Sequence, residues 1–89
     1  MTRLYSDING GINAFNVLVH EAKIAETKAR ALKHKRRFDE AATQFAAAES
    51  TYSDLRRYCL TQEIMDIIID REGRCNKMWY KCLEKALQN

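Results

Sequence analysis

Proline does not occur anywhere in this 89-residue chain, and glycine occurs only at positions 10, 11 and 73. So little punctuation excludes a turn-rich β-sandwich and a Pro/Gly-rich disordered segment. Long apolar runs are missing too. The isoleucines at 67–69 are followed at once by Asp70, whereas a membrane span needs ~20 apolar residues. The opening residues MTRLYSDINGG lack the apolar stretch of a signal peptide. A cytoplasmic protein with no membrane partner is therefore expected. Cysteine is sparse and odd in number, at 59, 75 and 82, which argues for reduced thiols. Cys75 and Cys82 are two helical turns apart, ~10.5 Å along an axis, too far for a disulfide. Their spacing also lacks the close ligand pairs of a zinc site. They read as small apolar core residues, with no metal or cofactor expected.

What the chain does have is helical periodicity. One short domain is expected, with 46% hydrophobic and 30% charged residues. Residues 1–11 read as a short irregular arm, because Asp7, Asn9 and the Gly10-Gly11 pair interrupt a helix, while Leu4, Tyr5 and Ile8 could tie the arm down. From Ile12 an apolar stripe runs through Phe15, Leu18/Val19, Ala22, Ala25, Ala29 and Leu32. It then fails at Arg36 and Asp39. A second stripe begins at Phe38 and passes through Ala41/Ala42, Phe45, Ala48, Tyr52, Leu55 and Cys59. The change of phase predicts a corner at 33–38, with bases before it and Asp39 and Glu40 after it, as helix dipoles favour. A third stripe starts near Thr61, an N-cap with Glu63 in the first turn. Leu60, Ile64, Ile67/Ile68, Cys75, Met78/Trp79, Cys82/Leu83 and Ala86 keep helical spacing, so Gly73, which could otherwise be a C-cap, reads as tolerated within a helix. The expected fold is all-α, with helices at about 12–36, 39–59 and 61–87, forming a three-helix bundle or an elongated antiparallel helical hairpin.

Charge is segmented along this pattern. Residues 20–37 hold seven Lys or Arg against Glu21 and Glu26. Residues 39–70 hold seven acids against Arg56 and Arg57, and residues 71–89 hold five bases against Glu72 and Glu84. The formal net charge is +3. Antiparallel neighbours with these flanks should attract one another. Two basic rows stand out. Arg30, Lys33, Arg36 and Arg37 form the first, and Arg74, Lys77 and Lys81, followed by Lys85, form the second. Their chemistry suits phosphates or an acidic partner.

The stretch FDEAATQFAAA, from Phe38 to Ala48, resembles one helix of a tetratricopeptide repeat. Phe38, then Asp39-Glu40-Ala41, then Phe45 and Ala48 follow that family's order of aromatic, acidic and small residues. The resemblance implies a helical hairpin with alanines at a close approach. It covers about a quarter of the chain, and a single repeat cannot build the groove through which that family binds peptides. It reads as shared packing, and no family is assigned.

Enzyme signatures are missing. No glycine-rich phosphate loop, HExxH or GxSxG occurs. His20 and His34 lie about four helical turns apart, too far to cooperate on one helix. No catalytic residue is expected. Tyr52, Tyr58, Trp79 and Tyr80 belong to the residue types that anchor interfaces. The sequence therefore points first to a small helical module that binds another protein, as an adaptor, chaperone or inhibitor, a setting that phage-encoded inhibitors of host proteins also fit. A homo-oligomer, with a dimer favoured, is expected for so short a chain. The alternative is a nucleic-acid-binding protein that uses the two basic rows at 28–37 and 74–85.

Overall fold

The structure, a computed structural model, describes residues 2–88, with side chains from residue 12 onward. Three helices follow one another: α1 (Thr2–His34), α2 (Phe38–Leu55) and α3 (Gln62–Gln88). A single 3-10 turn, Arg56–Tyr58, follows α2. No strand occurs among the described residues. The molecule is long and narrow, with principal extents of 58 × 19 × 14 Å. The all-α expectation therefore holds.

The backbone is helical from Thr2, so the expected irregular arm at 1–11 is instead the start of α1. A glycine pair costs a helix about 2 kcal/mol relative to alanine, which is a penalty and not a stop. Proline would be a stop, and there is none. The expected docking of Leu4, Tyr5 and Ile8 falls outside the described side chains. Ile12, assigned to the first stripe, is 40% exposed. Helix α1 is ~50 Å long and α2 only ~27 Å. The early turns of α1 thus outrun the helix they would pack on.

The predicted corner forms without glycine. Arg37 N–H donates to Leu32 O at 2.9 Å and Arg36 N–H to Lys33 O at 3.0 Å. This pair of crossed bonds is the Schellman ending, which needs one left-handed residue. Arg36 supplies it, with φ 63°. The second corner leaves α2 through the 3-10 turn and an extended Cys59, with φ −74° and ψ 123°. Cys59, placed in the second stripe, therefore sits past the end of α2. The third helix begins as expected: Ile64 N–H donates to Thr61 Oγ1 at 3.2 Å, capping its first turn.

Helix α2 stands between the other two, packing against α1 on one side and α3 on the other. Alanines make this possible. Ala22 and Ala29 of α1 and Ala41 and Ala48 of α2 are all 0% exposed, so the axes can approach closely. Two apolar clusters fill the core. One surrounds Tyr52, Leu55, Ile68 and Cys75, with Phe15, Leu18, Val19 and Ile64 against it. The other surrounds Phe45 and Cys82, with Leu32, Phe38, Met78, Trp79 and Leu83.

Two substitutions test the helix ends and interior. A Cβ added at Gly73 would meet nothing within 4 Å, so Gly73→Ala should stabilise by about 1 kcal/mol. Arg36→Gly should also stabilise by about 1 kcal/mol, because it removes the left-handed penalty. Each should raise Tm by about 4–8 °C for a domain of this size. A fall in Tm for Gly73→Ala would mean that α3 is not continuous there.

Candidate functional site

Helices α1 and α3 meet only weakly, although both lie against α2. Between them runs a cleft of about 710 Å³. Its floor is partly apolar, formed by Phe38 and Phe45 from α2 and by Cys75 and Met78 from α3. Its walls are basic. The α1 side and the following turn contribute Arg30, Lys33, His34 and Arg36. The α3 side contributes Arg71, Arg74, Lys77, Lys81 and Lys85. Glu26 is the one acid in the lining.

The two basic rows, far apart in the sequence, thus meet in one place. The spacing of the α3 row explains why. Residues 71, 74, 78, 81 and 85 recur at intervals of three and four, so they share one helical face. Arg37 does not join them. It pairs with Glu40, Nε to Oε2 at 2.8 Å, at the start of α2. Arg71 and Glu26 were not among the sequence candidates. Arg71 could have been found as the residue one turn before Arg74. Glu26 interrupts an alanine stripe, standing between Ala22 and Ala29 on the buried face.

Little of this charge is neutralised within the chain. Arg30 reaches Glu26 at 3.4 Å, and Arg74 reaches Asp70 at 3.1 Å, both within one helix. Among the described residues, Lys33, Arg36, Arg71, Lys77, Lys81 and Lys85 make no ion pair. The expected attraction between the basic and acidic segments is therefore mostly unrealised. Among the described residues the pair that joins a basic to an acidic segment is the local Arg37–Glu40 contact, while Arg56 with Glu72 of α3 joins a base of the acidic segment to an acid of the basic one. Asp39, Glu40 and Asp54 of α2 are exposed on the side away from the core.

Under the cleft lies a small polar cluster. Glu26 is only 9% exposed. Its carboxylate accepts from the Cys75 thiol at 3.4 Å, the contact that joins α1 to α3. The Tyr52 hydroxyl is buried close to Glu26 and Arg71, without a hydrogen-bond partner among the described residues. Burial, and then the Glu26 carboxylate, push Tyr52 up to about 12. The same two causes push the Cys75 thiol up to about 12. Burial also raises Cys59 and Cys82, with Lys33 and Lys85 opposing it at Cys82. All three cysteines are free. Protonated, desolvated thiols are poor nucleophiles and poor metal ligands. No group of three or more His, Cys, Asp or Glu is gathered for a metal among the described residues.

The aromatic candidates separate. Tyr52 is 1% exposed in the core, so it offers no contact surface and is corrected from partner residue to core residue. Helical spacing alone could not exclude this, because Tyr52 lies on the buried stripe. Tyr58 is half-buried in the 3-10 turn. Trp79 packs on the second cluster while Tyr80, 54% exposed, turns outward. Their rings remain 4.9 Å apart. Neither lines the cleft. No helix among the described residues is long and apolar enough to cross a membrane.

No protein-family model, curated protein or solved structure matches the chain.

Two measurements follow from this geometry. Facing like charges repel, so Lys77→Gln with Lys81→Gln should raise Tm at low ionic strength. The gain should fade near 1 M salt, where the Debye length is about 3 Å. An equal gain at both ionic strengths would place its cause outside charge repulsion. The second concerns alkaline pH. Cys75 ionises near 9 when unfolded and near 12 when folded. Its contribution is thus fully present below about pH 9 and is lost as pH rises from there toward about 12. Urea unfolding of Cys75→Ala should show a shallower decline across that window than the parent protein. Identical slopes would contradict a buried, neutral thiol.

Proposed function

We propose that the protein is a non-enzymatic binding module that holds an acidic segment of another protein in the cleft between α1 and α3. Such a module acts as an adaptor, chaperone or inhibitor by occupying its partner's surface. The observation that supports this reading is the convergence of Lys33, Arg71, Lys77 and Lys81 on one concave site, none of them in an ion pair among the described residues. Fixed charges of one sign in a cleft concentrate partners of the opposite sign and speed their association.

The floor favours protein over nucleic acid as the partner. A polyanionic strand needs phosphate contacts and rings for its bases to stack on. Here the exposed ring, Tyr80, lies outside the cleft, and Phe45 is 2% exposed. Phe38 already carries Lys85, whose Nζ stands 5.4 Å from the ring centroid. Half-buried Met78 between charged walls instead suits a polypeptide that presents both apolar and acidic side chains.

Fluorescence anisotropy separates the two partners. A labelled peptide of about 18 residues, rich in Glu and Leu, should bind, and should bind more weakly as salt screens the cleft. Changing Lys33, Arg71, Lys77 and Lys81 to Gln should weaken it by at least about tenfold, equal to 1.4 kcal/mol. Circular dichroism should show the variant still helical. Tighter binding of an equally charged oligonucleotide, lost in the same variant, would replace the protein partner with nucleic acid.

A further inference from the structure

We infer that the occupant of the cleft is a single acidic amphipathic helix, which takes the vacant fourth position of a four-helix bundle. The inference rests on the acidic-segment reading above and adds the partner's conformation and residue pattern.

The argument begins with an interface that is missing. In a closed three-helix bundle each helix packs on both others. Here α1 packs along α2 and α2 along α3, but α1 and α3 meet only weakly. Side chains beneath the cleft, Glu26 and Cys75, bridge them. A helix laid over that bridge would contact both walls, as a fourth helix does in a bundle.

Length and pattern agree with such an occupant. The lined part of α3 runs to Lys85. Ile67, one turn before Arg71 on the same face, is 56% exposed. From Ile67 to Lys85 is ~27 Å of helix, which an occupant of about 18 residues would match. Ile67 belongs to the third stripe by spacing, yet it is exposed and lies beyond the cleft lining, where the face of Arg71 and Arg74 continues toward the start of α3. The apolar floor at Met78 and Phe38 continues this line. The occupant therefore presents an apolar stripe with i, i+3, i+4 and i+7 spacing and carries Glu or Asp on both flanks. The outer face of α2 from a second copy does not fit this description. That face is acidic but bears Thr43, Ala47 and Ser50 where the stripe should be.

The test compares two synthetic peptides of about 18 residues, long enough to span ~27 Å as a helix. They share one Glu- and Leu-rich composition. In the first, the leucines fall on one helical face, and in the second the order is scrambled. Isothermal titration calorimetry gives affinity, and circular dichroism gives the helicity gained on mixing. The first peptide should bind at least about tenfold tighter than the second and should gain helicity. Ile67→Asp, a change at an exposed position, should weaken the first peptide by about tenfold and leave the second little changed. Met78→Ala should act in the same direction. Equal affinity for the two peptides, lost in the glutamine variant described above, would overturn the helical occupant and leave the acidic-segment reading standing. No binding of either peptide, or displacement of both by an equally charged oligonucleotide, would overturn both readings.

Discussion

Two positively charged helix faces share one narrow bundle, and this constraint shapes everything else. The row on α1 and the row on α3 would repel across a close α1–α3 interface, and those helices meet only weakly. Helix α2 resolves the conflict by packing against both. Its alanines at 41, 42 and 48 let the flanking helices come close on either side, while the basic rows stay at the open edge. The cleft lies between the two rows, and α2 packs on both of the helices that carry them.

The polar cluster beneath the cleft follows from the same arrangement. Glu26 is the one carboxylate in the cleft lining, and burying it is costly unless it is paired. It is paired with Arg30 and with the Cys75 thiol. The charge on Glu26 and the depth of the site keep Cys75 and Tyr52 protonated. The cluster therefore links α1 to α3 without supplying a nucleophile. Its place in the molecule is structural, and the exposed cations above it remain free to meet a ligand.

Free cations in a cleft are a stability cost that a simple scaffold would not retain. A bundle selected only for stability would bring Asp or Glu opposite Lys77 and Lys81, or would close the third interface with leucine. Instead the acids of α2 are spent on helix-end and outward positions such as Asp39, Glu40 and Asp54. This separation of charge is what the proposed binding role draws on, since a partner brings the counter-charge that the chain withholds.

The sequence by itself determined the helices, because periodicity and capping are local. The absence of proline, the phase change after Leu32 and the Thr61 cap place every helix end except the start of α1 to within about four residues. It missed the helical start, where Gly10-Gly11 acts as a penalty and not as a stop, and it could not foresee Arg36 in a left-handed conformation. The basic rows were also legible, as one-dimensional spacing. Their meeting was not. Whether Lys33 faces Lys81 across a cleft or an acid on α2 depends on which helix stands in the middle, and that is decided by alanine contacts between residues distant in the chain. The same holds for Tyr52, which spacing leaves as either core or contact and which burial between α2 and α3 makes core. Local order follows from neighbouring residues. The site comes from tertiary packing, which brings two like-charged faces to one cleft while their helices meet only weakly.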